Sequence, residues 1–139
     1  MNISTLVIFD RESGILEVLT EMARECSPKT RILATTDANQ ALKWILEHQP
    51  KLIITEAIPV LDVQAPKEFQ ANDPGFQLIK AVREHPRAEV KSTWIMVTMS
   101  RCKEDIPLQV LKLLGERACL LEKPFNLSDV RLVIMSQIR

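Results

Sequence analysis

Five short runs of β-branched and aliphatic residues, each followed by a stretch with helical spacing, constrain this chain more than any other feature. The runs are Thr5 to Phe9 (TLVIF), Arg31 to Thr35 (RILAT), Leu52 to Thr55 (LIIT), Trp94 to Thr98 (WIMVT) and Ala118 to Leu121 (ACLL). A run with no polar interruption, such as TLVIF, suits a strand buried on both faces of a parallel sheet. Between the runs, Ile15, Leu16, Leu19, Met22 and Ala23 recur at three- and four-residue spacings from Ser13 onward. Ala41, Leu42, Ile45 and Leu46 do the same after Asp37, a suitable N-cap. Pro28 and Pro50 stop these two helices. Further helices are expected over Gly75 to Arg83, Leu108 to Leu114 and Leu127 to Ile138, the last capped by Asn126 or Ser128. Parallel neighbours need crossovers, and right-handed crossovers put helices on both faces. The expected fold is therefore α/β: a doubly wound five-stranded parallel sheet with helices on both faces.

The 139 residues are enough for one domain, spanning 1–139, and too few for two. Eighteen Lys and Arg balance eighteen Asp and Glu. That neutrality argues against direct nucleic-acid binding, which needs clustered excess cations. The apolar runs fall far short of the about 20 residues of a membrane span, and no basic stretch precedes the first one as in a signal peptide. The three cysteines, Cys26, Cys102 and Cys119, fit no zinc or redox spacing, and an odd count argues against a disulfide framework. A reduced, cytoplasmic protein is expected. His48 and His85 are expected at surface helix ends, and Trp44 and Trp94 in packing roles. A long connection at about 60–74 exceeds the usual loop of this architecture and reads as a surface insertion or a binding loop.

In such folds, sites gather at the carboxyl ends of the strands. The residues there are Asp10, Arg11 and Glu12, then Glu56, then Thr98, Met99 and Ser100, and last Glu122, Lys123 and Pro124. In this order they resemble the receiver domain of two-component response regulators, a flavodoxin-like fold, over essentially the whole chain. LVIFDRES is similar to the family's first strand and acidic turn, and QPKLIITE to the strand that ends in the phosphoacceptor aspartate. GFQLIKAVR resembles the third helix, WIMVT the strand with the switch Thr, and LLEKPFNLSDV the last strand with its Lys-Pro turn. The resemblance implies a partner histidine kinase, a Mg²⁺ ion on acidic residues, and phosphoryl transfer to the acceptor. Mg²⁺ wants carboxylate and water oxygens, and phosphoryl transfer is mostly positioning and charge neutralisation.

The matches are uneven. Asp10 matches the first acidic residue, Thr98 the switch hydroxyl, and Lys123-Pro124 the phosphate-binding lysine and its proline. Arg11 stands where the family has a metal-ligating carboxylate, and Glu56 where it has the acceptor. Leu120 replaces a frequent aromatic. Pro59 comes three residues after Glu56 rather than four, which leaves Thr55 as an alternative acceptor position. A guanidinium does not deprotonate at working pH, so Arg11 repels a divalent ion. The expectation is a degenerate site without Mg²⁺ or other cofactor, closed by an Arg11–Glu56–Lys123 charge network; the alternative is that these are solvated strand-end charges.

In the last helix, Leu127, Val130, Ile134 and Ile138 form one apolar stripe, while Leu132, Val133 and Met135 point elsewhere. Such a helix asks for a second cover. A homodimer or a protein partner such as a histidine kinase or an output domain would supply it; so would a following segment of chain. The expected function is a pseudo-receiver in phosphorelay signalling, an interaction module and not an enzyme. A working receiver with an unusual acceptor is the alternative. A small flavodoxin-like ligand-binding protein or enzyme ranks last: Gly14, Gly75 and Gly115 form no phosphate-cradling loop.

Overall fold

A computed structural model describes residues 3–57, 73–99, 106 and 108–138. Five strands, β1 (Thr5–Phe9), β2 (Arg31–Thr35), β3 (Leu52–Glu56), β4 (Trp94–Met99) and β5 (Ala118–Glu122), alternate with helices α1 (Ser13–Cys26), α2 (Ala38–His48), α3 (Pro74–Arg83), α4 (Leu108–Leu114) and α5 (Leu127–Gln137). A single helical turn, Ala88–Lys91, follows α3. All ladders are parallel and the strand order is β2-β1-β3-β4-β5. This is the doubly wound sheet expected from the alternation of patterns.

The pleat sends alternate side chains to opposite faces. Val7, Phe9, Ile53, Ile95 and Val97 meet residues of α2, α3 and α4 in one core. Leu6, Ile8, Leu52, Ile54 and Met96 meet α1 and α5 in the other. Trp44 packs against the first and Trp94 against the second. The central strands β1 and β3 are buried along their whole length, and β2 and β5, at the edges, only in part.

The caps follow the sequence. Asp37 accepts a hydrogen bond from the amide of Asn39 at the head of α2, and Asn126 accepts one from Ser128 at the head of α5. Asp73 and Pro74, placed within the long connection by sequence, belong to α3: Asp73 is its N-cap and Pro74 its first residue. The rest of that connection lies outside the described residues. So does Cys102; Cys26 and Cys119 are half-buried.

The last helix departs from expectation in two places. Leu127 is 43 % exposed and leaves the buried stripe, which is Val130, Ile134 and Ile138. Val133, expected on the outward face, packs partly against the α1/α5 core. Its position three residues after Val130 puts it near the edge of the inward face. Leu132 and Met135 do face outward, at 66 % and 52 % exposure.

Candidate functional site

Strand parity builds the site. Asp10 continues the Leu6–Ile8 side of β1, Glu56 the Leu52–Ile54 side of β3, Thr98 the Trp94–Met96 side of β4, and Lys123 the Cys119–Leu121 side of β5. All four therefore emerge on the α1/α5 face at the carboxyl ends of adjacent strands. The ladder pairs Glu56 directly with Thr98. The amide of Lys123 donates to Met99 O at 2.6 Å, which holds the turn after β5 in line with β4. Thr55 points to the opposite face, where its hydroxyl donates to the carbonyl of Glu56 at 2.9 Å. Glu56, and not Thr55, thus faces Asp10 and Lys123.

Two cations hold Glu56. Arg11 donates to Oε1 twice, from its backbone amide at 2.8 Å and from Nε at 2.6 Å. Lys123 Nζ lies 3.0 Å from Oε2 and 3.2 Å from Oδ2 of Asp10. Oδ1 of Asp10 takes the backbone amide of Glu12 at 2.8 Å. The Arg11 guanidinium also reaches Asp73, 3.6 Å from Nη2. Gly75 permits this last contact, because a Cβ there would stand 1.8 Å from the carbonyl oxygen of Glu56. The head of α3 can therefore close on the end of β3 only with glycine at that position.

Charge states follow from these contacts. Burial pushes the Glu56 carboxyl up, but the hydrogen bonds from Arg11 and the nearness of Lys123 outweigh it, and the group lies below the ordinary range. Asp10 is fully buried and goes the other way: desolvation raises it, helped by the charge of Glu56, despite the amide of Glu12 and Lys123. Lys123 is raised: its two carboxylate partners overcome its desolvation.

Of the residues singled out by sequence, Asp10, Arg11, Glu56 and Lys123 come together in one ionic cluster. Thr98 lies beside it, fully buried, with no hydrogen-bond partner for Oγ1 among the described residues. Pro124 follows Lys123 through a cis peptide bond. The Glu12 side chain is exposed; only its backbone takes part, as the N-cap position of α1 and the donor to Asp10. Ser100 lies outside the described residues. Asp73 was missed as a site residue. The local signal was present, since Asp-Pro-Gly before an apolar periodic stretch marks a helix start. Its meeting with Arg11 is tertiary.

A divalent cation does not suit this donor set. Each of the four oxygens of Asp10 and Glu56 already accepts a hydrogen bond, and two fixed cations stand among them. Among the described residues no three His, Cys, Asp or Glu side chains are grouped as a metal would need.

Neither a family model nor a curated protein matches the sequence. The fold does match solved structures. The chemotaxis response regulator CheY4 of Vibrio cholerae superposes with a TM-score of 0.69 at 18% identity, over 98% of this chain and 99% of that one. The signal receiver domain of a DNA-binding response regulator from Colwellia psychrerythraea gives 0.71 at 14% identity, over 96% of each chain. A sensor protein from Polaromonas gives 0.70 at 18%, over 97% and 95%. The chain therefore has the fold of the CheY-like receiver domains across nearly its whole length.

Proposed function

We propose that this chain is a pseudo-receiver: a module of two-component signalling that works by binding protein partners and does not take phosphate by the usual Asp-and-Mg²⁺ route. The supporting observation is the double grip on Glu56 by Arg11 and Lys123. In a phosphorylatable site the lysine meets the incoming phosphoryl group and a metal offsets its charge; here a carboxylate and a guanidinium fill those two places. The reading makes the chain a cytoplasmic adaptor without enzymatic activity or cofactor. Its partner is a histidine kinase, an output domain or a second copy.

The test is incubation with Mg²⁺ and acetyl phosphate, followed by intact mass measurement. No gain of mass is expected. A stable gain of one phosphoryl group on Glu56 would establish the second reading, a working receiver with an unusual acceptor. The Thr98 hydroxyl, which has no partner among the described residues, favours that second reading, since a phosphoryl oxygen would satisfy it.

The partner surface on this reading is the outward side of α4 and α5 with edge strand β5 between them. Leu108 is 65 % exposed, Leu111 41 % and Leu132 66 %. Neutral net charge presents no electrostatic barrier to pairing. In a two-fold dimer one substitution acts twice. Leu132→Asp is expected to shift a dimer to monomer in sedimentation equilibrium. A wild-type chain that stays monomeric at high micromolar concentration rejects the homodimer.

A further inference from the structure

A cleft of about 580 Å³ opens at the carboxyl ends of the strands, between the first turns of α2 and α3 and on the opposite face of the sheet from the ionic cluster. Phe9, Leu42, Leu78 and Ala81 supply apolar lining, and Arg11 and Asp37 supply charge. Open α/β sheets bind ligands outside the carboxyl ends where the strand order reverses. Here the reversal lies between β1 and β3, and the cleft borders it through Phe9, the last residue of β1. The volume falls within the range of small-molecule sites.

The two charged groups restrict the ligand. Arg11 uses Nε on Glu56 and reaches Asp73 with Nη2, and its side chain is 46 % exposed. Asp37 spends Oδ1 on the amide of Asn39. A carboxylate ligand would meet Arg11 but also face Asp37 and Asp73. An ammonium would meet Asp37 but also face Arg11. A neutral group that carries an acceptor beside a donor meets both without a like charge.

We propose that this cleft binds a small uncharged aromatic amide or lactam, its ring against the apolar lining, its carbonyl toward Arg11 and its N–H toward Asp37. The proposal is independent of whether Glu56 accepts phosphate. Because Arg11 borders both sites, an occupant of the cleft touches the residue that neutralises Glu56.

Three probes of similar size test it: benzamide, benzoate and benzylammonium, each titrated into the ¹⁵N-labelled chain while the amides of Asn39, Leu42 and Gln77 are followed by NMR. Benzamide is expected to give saturable shifts in the millimolar range, as suits so small a ligand, with the two ions at least about tenfold weaker. Ala81→Phe fills the cleft from α3 and Asn39→Trp crowds it from α2. Each is expected to abolish the shifts, the dispersion of the spectrum showing that the variant is folded. Absence of a saturable benzamide response in the wild-type chain overturns the site. An equal response to either ion overturns the ligand class. An unchanged response in a folded filled variant places binding elsewhere and overturns the proposal as well.

Discussion

Two arginines secure opposite ends of the same sheet by different means. At the carboxyl ends, half-exposed Arg11 faces the carboxylates of Glu56 and Asp73. At the amino ends, Arg83 is 8 % exposed and its guanidinium meets backbone carbonyls instead. Its Nε donates to Leu114 O at 2.8 Å, Nη1 to Lys91 O at 2.9 Å and Thr93 O at 2.7 Å, and Nη2 to Arg117 O at 2.8 Å. One guanidinium thus ties the end of α3 to the end of α4 and to the segments entering β4 and β5. Desolvation, with the charge of Arg117, lowers its pKa, but a guanidinium stays charged. Carbonyls cannot titrate or be neutralised, so the amino-end arrangement is purely structural. The carboxyl-end arrangement holds carboxylates that can gain a proton beside a guanidinium that keeps its charge, which is what a site needs and a joint does not.

The largest effect is expected where no partner can readjust. Arg83→Met removes a donor from four carbonyls on irregular backbone or helix ends, one of which, Arg117 O, also accepts from the amide of Ile95, and should cost about 3 kcal/mol or more in a denaturant melt. A loss near zero would mean that water replaces the guanidinium, and the contrast between the two ends would collapse.

Glu56→Gln comes next. It removes the one charge that Arg11 and Lys123 share, and the expected loss is roughly 1–3 kcal/mol at neutral pH, toward the lower end because Arg11 is half in solvent. This loss should depend on pH. The folded-state pKa of Glu56 is depressed, so its contribution is complete above its ordinary value of 4.5 and fades as pH falls through the lower folded value. Asp10 has the opposite sign: its raised pKa makes its ionised form a cost above the folded value, and acid relieves that cost. The deficit of Glu56→Gln should therefore shrink in acid, while that of Arg83→Met stays level over the same range. Melts at a series of pH values separate the two behaviours, and parallel curves would contradict the assignment. Arg11→Met is expected to be smallest, under about 1 kcal/mol in the same melts, because an exposed ion pair contributes little.

Sequence legibility divides along the same line. The alternation of patterns specified every described strand and numbered helix, because each is a local periodicity matched to burial. Strand ends then indicated where Asp10, Glu56, Thr98 and Lys123 would lie. Arg83 left no trace in the sequence: it reads as a basic residue at the end of an amphipathic helix, where cations are ordinary. Its partners are main-chain oxygens, which no side-chain pattern reports. Asp73 was legible as a helix cap but not as a partner of Arg11, since that pairing depends on how closely Gly75 lets α3 approach β3. Val133 and Leu127 were misassigned because the helix is apolar on several sides, which blurs the boundary between its faces.

Half of the hold that position 11 has on Glu56 is independent of its side chain. The backbone amide of Arg11 reaches Oε1 at 2.8 Å, and every residue except proline presents that amide. Changing Arg11 alone would leave the carboxylate tethered. What brings it within range is the extra methylene that distinguishes glutamate from aspartate, so shortening residue 56 is the step that withdraws the carboxylate, and an acidic replacement at position 11 matters only with it. Glu56→Asp together with Arg11→Asp, and not Arg11→Asp alone, is therefore the change expected to open this pocket to a metal.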